Sequence, residues 1–185
     1  MEIKPWLTAI HRKKISLPLQ KILKKNYISN KDVILDYGCG HGCDLNYLKD
    51  NKFHIEGYDK FISTYSNQFY YKKNYDKVFC FYVLNTIHSN LERIETLNNI
   101  FKVLKNEGSL FIAVRSIEEL KSINKDNLTE YNDGYVTIRG TFQKYFTKED
   151  LENLLHKNFK NINITYIPFN NKTILAEIKI LQEAV

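Results

Sequence analysis

The sequence has no unbroken apolar run long enough to cross a membrane as a helix, so an integral membrane protein is not expected. Its first residues, MEIKPWLTAIHRKK, lack the continuous apolar core of an export signal, and a cytoplasmic location is the expectation. Cysteine is scarce. Three thiols, an odd number, give no disulfide framework and suit a reducing compartment. Cys39 and Cys43 are followed by no Cys or His pair at zinc-ligand spacing, so no metal site is expected. Internal repeats and low-complexity linkers are also missing, and 185 residues with 43% hydrophobic content read as a single domain over 1–185.

Charge is present but unevenly spread. Lys4, Arg12, Lys13, Lys14, Lys21, Lys24, Lys25 and Lys31 stand against only Glu2 and Asp32 in the first 32 residues, which therefore carry the whole net charge of +6. A basic segment over 1–31 is drawn to polyanions, so nucleic acid is a partner to consider, and a solvated lysine-rich helix is the plainer alternative.

Along the chain, strands and helices alternate. Ser16 with Pro18 predicts a capped helix to about Lys25, with Leu19, Ile22 and Leu23 as its apolar stripe. DVILDYG reads as a buried strand, CDLNYLKDN as a helix and FHIEGYD, residues 53–59, as a second strand. YDKVFCFYVLNTI, 75–87, is almost wholly apolar from Val78 to Leu84, as strands covered on both faces are. NLERIETLNNIFKVLKNEG predicts a helix capped by Asn90, with an apolar stripe of Leu91, Ile94, Leu97, Ile100, Phe101 and Leu104, and Gly108 just past its end. SLFIAVR is a further strand, and residues 117–138 interrupt the pattern as an insertion-like stretch holding a short helix or a loop. Thr147 and Asp150 form a near capping box before another helix. INITYIPF and KTILAEIKIL, separated by Asn170 and Asn171, predict a terminal antiparallel hairpin whose last strand opposes the rest. The expected fold is an α/β sandwich of Rossmann-like type with a mostly parallel sheet.

The chemistry gathers at DYGCGHG. In an open α/β sheet the ligand lies off the carboxyl ends of the strands, beside the first strand-to-helix turn, where Gly38, Gly40 and Gly42 fall. Glycines there let backbone approach a ligand closely. The spacing is G-x-G-x-G and not the G-x-G-x-x-G of dinucleotide enzymes. Asp36 precedes the first glycine by two residues, and Asp59 ends the second strand, where a carboxylate can accept from both hydroxyls of a ribose.

These segments resemble the class I S-adenosylmethionine-dependent methyltransferases. VILDYGCGHG is similar to their first motif, GYDK to the acidic end of the second strand, YDKVFCFYVLNTI to the fourth-strand motif and VLKNEGSLFIAVR to the helix leading into the fifth strand. The resemblance implies S-adenosyl-L-methionine as cofactor, bound by Asp36, with Gly38, Cys39 and Gly40 along its methionine part, Asp59 and Lys60 at the ribose, and Phe81 alongside. A narrower likeness runs in order through TAIHRKKISLP, DYGCGHGCDLNYL, YVLNTIHSNLERIETL, IAVRS and GTFQKYFTKEDL. It is to the methyltransferases associated with DNA phosphorothioation gene clusters, and it implies a DNA modification context. One departure stands out: sixteen residues between Asp59 and Asp76 are too few for a helix, a third strand and a turn, so that strand is expected to be short or missing.

Methyl transfer from a sulfonium is an in-line displacement in which the protein chiefly positions its reactants. Tyr82 and Asn85, which follow the fourth strand, are the catalytic candidates; His88 comes just after them, and His41 sits inside the glycine loop, facing either the cofactor pocket or solvent. No (Asn/Asp)-Pro-Pro-aromatic motif and no Pro-Cys pair occur, so the amino-DNA and cytosine-C5 patterns are not met. Arg115 ends the next strand, and RGTFQKYF offers Gln143 and Lys144 among aromatics that either stack on a base or pack in the core. His11 and Arg12 are candidates for a lid over the substrate. Three functions stay open: a methyltransferase for nucleic acid or nucleotide-like substrates, one for a small metabolite, and a cofactor-binding module that transfers nothing.

Overall fold

The computed structural model describes residues 2–67 and 74–181. A 3₁₀ turn at Pro5–Leu7 leads to α1 (Leu17–Lys24), β1 (Val33–Tyr37), α2 (Cys43–Asp50) and β2 (His54–Tyr58). Then come β3 (Tyr75–Phe81), α3 (Asn90–Val103), β4 (Leu104–Arg115), α4 (Ile117–Leu120), β5 (Leu128–Tyr131), β6 (Gly134–Thr137) and β7 (Phe142–Gln143). The chain closes with α5 (Lys148–His156), β8 (Ile162–Tyr166) and β9 (Thr173–Ile180).

Six strands form one sheet in the order β2-β1-β3-β4-β9-β8. The pairs β1–β2, β1–β3 and β3–β4 are parallel, while β9 runs antiparallel to both of its neighbours. The last strand alone is reversed, as the Asn170–Asn171 hairpin predicts. Strand alternation sends side chains to two cores, one on each face. Leu110, Ile112 and Val114 of β4 join Leu97 and Ile100 of α3 and Leu151 and Leu155 of α5. Phe111 and Ala113 join Leu19 and Ile22 of α1 and Leu45 and Leu48 of α2. This is the doubly covered sheet that the continuous apolar runs require.

Between β2 and β3, the described residues contain a 3₁₀ turn at Ser63–Tyr65 and no strand, and residues 68–73 lie outside the described residues. Asp76 stands at the entrance of β3, where it accepts from Val33 N (2.8 Å) and pairs with Lys105 (2.9 Å); it braces the sheet.

Three local expectations need correction. Ser89, not Asn90, caps α3, its hydroxyl accepting from Glu92 N. Gly108 lies inside β4, because the chain leaves the helix at Leu104 and passes directly into the strand. The buried face of α3 is also rotated from its apolar stripe. Leu91 is 78% exposed while Arg93 is 1% exposed.

The reason lies in residues 117–143. They form α4 and a second, three-stranded antiparallel sheet, β5-β6-β7, which packs over the start of α3. Arg93 enters that interface with every arm used. Its Nε donates to Ile87 O (2.8 Å), and its Nη1 and Nη2 donate to Asp133 Oδ2 and Oδ1 (2.5 and 2.7 Å). A planar fork matched to a carboxylate is what allows a guanidinium to be buried.

Candidate active site

At the carboxyl ends of β1 to β4 lies a cavity of about 740 Å³, within the range of small-molecule and cofactor sites. Its floor is the loop from β1 to α2. Gly38, Gly40 and Gly42 all have positive φ, and two of them are fixed by contact as well as by conformation. A Cβ on Gly38 would meet Val83 Cγ2 at 2.2 Å, and one on Gly42 would meet the Tyr65 hydroxyl at 2.6 Å. The turn after β3 and the turn after β2 are therefore seated directly on the loop.

Carboxylates surround this floor. Asp59 Oδ2 accepts from Gly40 N (2.8 Å) and its Oδ1 from Phe61 N (2.9 Å), which sets the carboxylate on the cavity wall with lone pairs to spare. Asp36 lies behind the loop, 4% exposed. Burial, and then the neighbouring Asp44 charge, push its carboxyl up to about 8. Asp44, in the first turn of α2, accepts from Ser16 N (2.8 Å) and pairs with Arg12 (3.2 Å). Asp44 thus puts a carboxylate in the first turn of α2, the end of the helix that holds a phosphate in a dinucleotide enzyme.

A cover crosses the top. Lys4 N donates to Gly140 O (2.8 Å), Pro5–Leu7 makes its turn, and Ala9 passes 3.6 Å from where a Gly40 Cβ would stand. His11 stacks on His41 of the glycine loop, ring centroids 3.6 Å apart. Pro5, Trp6, Ala9, Ile10 and Arg12 line the cavity.

The side wall comes from β3, β4 and the hairpin. Tyr82 is held at φ 59, an uncommon conformation for a residue with a side chain, and its hydroxyl meets Thr173 Oγ1 at 3.0 Å. Asn85 follows on the Leu84–Thr86 3₁₀ turn and donates through Nδ2 to Gln143 Oε1 (3.0 Å). Arg115 pairs with Glu119 (2.5 Å).

The structure brings Arg12, Gly38, Cys39, Gly40, Asp59, Lys60, Phe81, Tyr82, Asn85, Arg115 and Gln143 to this one cavity. Others sit elsewhere. Lys144 pairs with Asp133 (2.9 Å) and lies over the Phe146 ring, away from the cavity lining. Lys60 reaches the rim, but its ammonium is bound to Glu92 (2.8 Å). His88 packs among Tyr131 and Phe142. In the RGTFQKYF stretch, Phe142, Tyr145 and Phe146 are core residues, and Gln143 alone turns to the cavity. Burial raises both the Cys39 and Cys80 thiols, Cys80 to about 12, so neither is a ready nucleophile. Sequence reasoning missed Phe61, which is 43% exposed on the cavity edge and carries no local signal, and the place of the Asn170–Thr173 turn at the cavity, since Asn170 and Asn171 signal only a hairpin.

Comparison with known proteins agrees with this arrangement. A structure of the PH0226 protein from Pyrococcus horikoshii OT3 superposes with a TM-score of 0.68 at 17% identity, covering 88% of this chain and 89% of that one. An S-adenosylmethionine-dependent methyltransferase from Bacteroides fragilis, in complex with S-adenosyl-L-homocysteine, gives 0.62 at 13% identity, covering 92% and 80%. The 1,6-didemethyltoxoflavin-N1-methyltransferase of Burkholderia thailandensis gives 0.57 at 15%, covering 82% and 72%. At such identities the likeness is one of fold. No curated protein matches the sequence. The comparisons do not reach the narrower group of DNA phosphorothioation-associated enzymes. A family profile described as "Methyltransferase domain" matches residues 9–163, most of the chain, and the protein belongs to that family.

Proposed function

We propose that the protein is an S-adenosylmethionine-dependent methyltransferase whose acceptor is a small molecule taken into the covered cavity. The observation that carries the cofactor is the charge of the floor. Asp59 beside the glycine loop accepts only from main-chain N–H groups, while the three nearby cations, Arg12, Lys60 and Arg115, are already paired with Asp44, Glu92 and Glu119, so the charge left over is negative. Such a site favours a cationic ligand and repels a pyrophosphate. Gly38, Cys39 and Gly40 would hold the methionine part with Asp36 behind, Asp59 the ribose, and Phe81 the neighbouring face. The cofactor, when bound, supplies a methyl group on a sulfonium. The residues around it hold it, exclude water and orient the acceptor.

The cover supports the small acceptor. Arg12 and His11, the candidates for a lid over the substrate, are engaged with Asp44 and with His41 of the glycine loop. The Burkholderia thailandensis protein of similar fold is, by its name, an N1-methyltransferase of 1,6-didemethyltoxoflavin and holds that compound and S-adenosylhomocysteine. Thermal-shift and calorimetric titration test the cofactor: S-adenosylmethionine and S-adenosylhomocysteine should raise the unfolding midpoint, and NAD should not. Stabilisation by NAD alone refutes the reading.

A second reading has its own support. Lys13, Lys14, Lys24, Lys25 and Lys31 are all exposed, and the likeness to the phosphorothioation-associated enzymes points the same way. DNA binding that weakens steeply with salt, with a slope that flattens when Lys13, Lys14, Lys24 and Lys25 are neutralised, would favour nucleic acid as acceptor. Salt-insensitive or negligible binding leaves the small molecule.

A further inference from the structure

Among the described residues, one buried side-chain polar atom has no hydrogen-bond partner: Asn85 Oδ1. Asn85 is 1% exposed yet lines the cavity wall. Two of its other polar groups are in use. Nδ2 donates to Gln143 Oε1 (3.0 Å), and the main-chain carbonyl accepts from Lys144 N (2.7 Å).

Nor is Asn85 free to turn away. Tyr82 N is tied to Ala113 O (2.7 Å), Thr86 Oγ1 donates to Val83 O (2.8 Å), and Val83 is wedged over Gly38. Gln143 is carried by β7, in the hairpin that Arg93 clamps through Asp133. Buried acceptors are normally satisfied, and leaving one unpaired costs stability, so an unpartnered acceptor on a residue that lines a cavity suits a donor on a ligand.

The surroundings narrow that donor. On the elements that adjoin Asn85, the Tyr82 hydroxyl is joined to Thr173 and its pKa lies above the usual phenol range through burial. Arg115 and Glu119 neutralise each other. A carboxamide cannot take up a proton, so Asn85 cannot serve a hydroxyl acceptor as its base. A neutral amine needs none: it brings its own lone pair and an N–H to offer Oδ1.

We infer that Asn85 Oδ1 binds an N–H of the acceptor and that the enzyme is an N-methyltransferase for a primary or secondary amine; this rests on the S-adenosylmethionine reading above. The amine nitrogen uses its lone pair to form the new N–C bond to the methyl group. The C–S bond breaks, and its electron pair returns to sulfur, leaving a neutral thioether. The positive charge passes to nitrogen, whose N–H remains on Asn85 Oδ1, and the proton goes to water after the product leaves. An acceptor oxygen beside that nitrogen binds the charged product-like state more strongly than the neutral amine, which is how it aids the transfer.

Binding tests this without knowing the natural acceptor. Sinefungin carries an amine-bearing carbon where the cofactor carries its methylated sulfur, so it offers an N–H donor at the transfer position; S-adenosylhomocysteine offers none. Calorimetry on wild type, Asn85→Leu and Asn85→Asp compares the two. Asn85→Leu is expected to weaken sinefungin about tenfold or more while S-adenosylhomocysteine changes less than about threefold, the latter also reporting that the variant is folded. Asn85→Asp, which keeps an acceptor in the same shape, is expected to retain sinefungin. Equal losses, no loss, or a gain for sinefungin in Asn85→Leu overturn the inference while the cofactor reading stands. If wild type binds neither ligand, the cofactor reading fails first and this one with it.

Discussion

Val83 occupies the space that a side chain at position 38 would need, its Cγ2 lying 2.2 Å from where a Gly38 Cβ would be. The loop after β1 and the turn after β3 are thereby a single packed unit, and the cavity floor depends on both. Gly38→Ala carries two costs: a clash of the kind that overpacking imposes, about 1–3 kcal/mol, and a left-handed φ of +82. That φ costs a residue with a Cβ about 1–2 kcal/mol. Denaturant unfolding should show the sum. Adding Val83→Ala should recover the clash part and leave the φ part, and a double variant no better than Gly38→Ala alone would show that Val83 is not the obstacle.

The Arg93–Asp133 pair makes a second prediction. Asp133→Ala leaves Arg93, 1% exposed, as an uncompensated buried cation, and should cost about 3–5 kcal/mol. Removing both with leucine should cost much less, since no charge is then stranded. Burial alone would raise the Asp133 pKa, but the hydrogen bonds from Arg93 and Lys144 outweigh it and hold the carboxyl at about 2. The sign follows: the pair's stabilisation is present above the ordinary carboxyl value of 3.8 and is lost as pH falls toward 2. Acid unfolding monitored by aromatic fluorescence should therefore steepen between pH 4 and 2, and lose that component in the double variant.

What could be read from the chain was local. Asp36, the three glycines and Asp59 lie within one strand-turn-helix-strand unit, and the Thr147–Asp150 capping box and the reversed last strand are equally short-range. The parts that escaped depend on distant pairs. Arg93 lies off the apolar stripe of its helix and is buried only because Asp133, 40 residues later, meets it. Asn85 and Gln143 are 58 residues apart, and each alone reads as an ordinary polar residue at the edge of a strand or turn. The hairpin that unites these pairs has no long apolar period to announce it. Its strands are two to four residues, stabilised by side chains it borrows from α3.

The cover over the cavity is fastened at Asp44. This 2% exposed carboxylate takes both Ser16 N and the Arg12 guanidinium, and Arg12 is the only side-chain cation paired with it among the described residues. Arg12→Gln should loosen the residues that precede it without unfolding the domain, because Asp44 keeps its backbone donor and the start of α2. Limited proteolysis should then cut within residues 2–14 several times faster than in wild type, and cofactor should leave faster, with the unfolding midpoint moved by only a few degrees. Unchanged proteolysis would mean that the Lys4–Gly140 tie and the His11–His41 stack hold the cover by themselves.

Asp36 links pH to both stability and binding. Its carboxyl is raised from 3.8 to about 8 by burial and by the nearby Asp44 and Asp59 charges. Below pH 3.8 the group is protonated in the folded and unfolded chains alike, and it costs nothing. Above that, the unfolded chain releases the proton while the folded chain keeps it, so stability falls with rising pH, by at most about 1.4 kcal/mol per unit, until the folded group also ionises near 8. Asp36→Asn should flatten that slope in denaturant unfolding between pH 5 and 8. Binding adds the opposite pull. A ligand bearing a sulfonium and an ammonium in front of the loop favours the ionised carboxylate, so S-adenosylmethionine binding at pH 7 should release up to one proton. Calorimetry in buffers of different ionisation enthalpy measures that release directly. In Asp36→Asn the release should vanish and affinity should fall about tenfold, the loss of one charge interaction in a low-dielectric site. A variant that still releases the proton would show that Asp36 is not the titrating group.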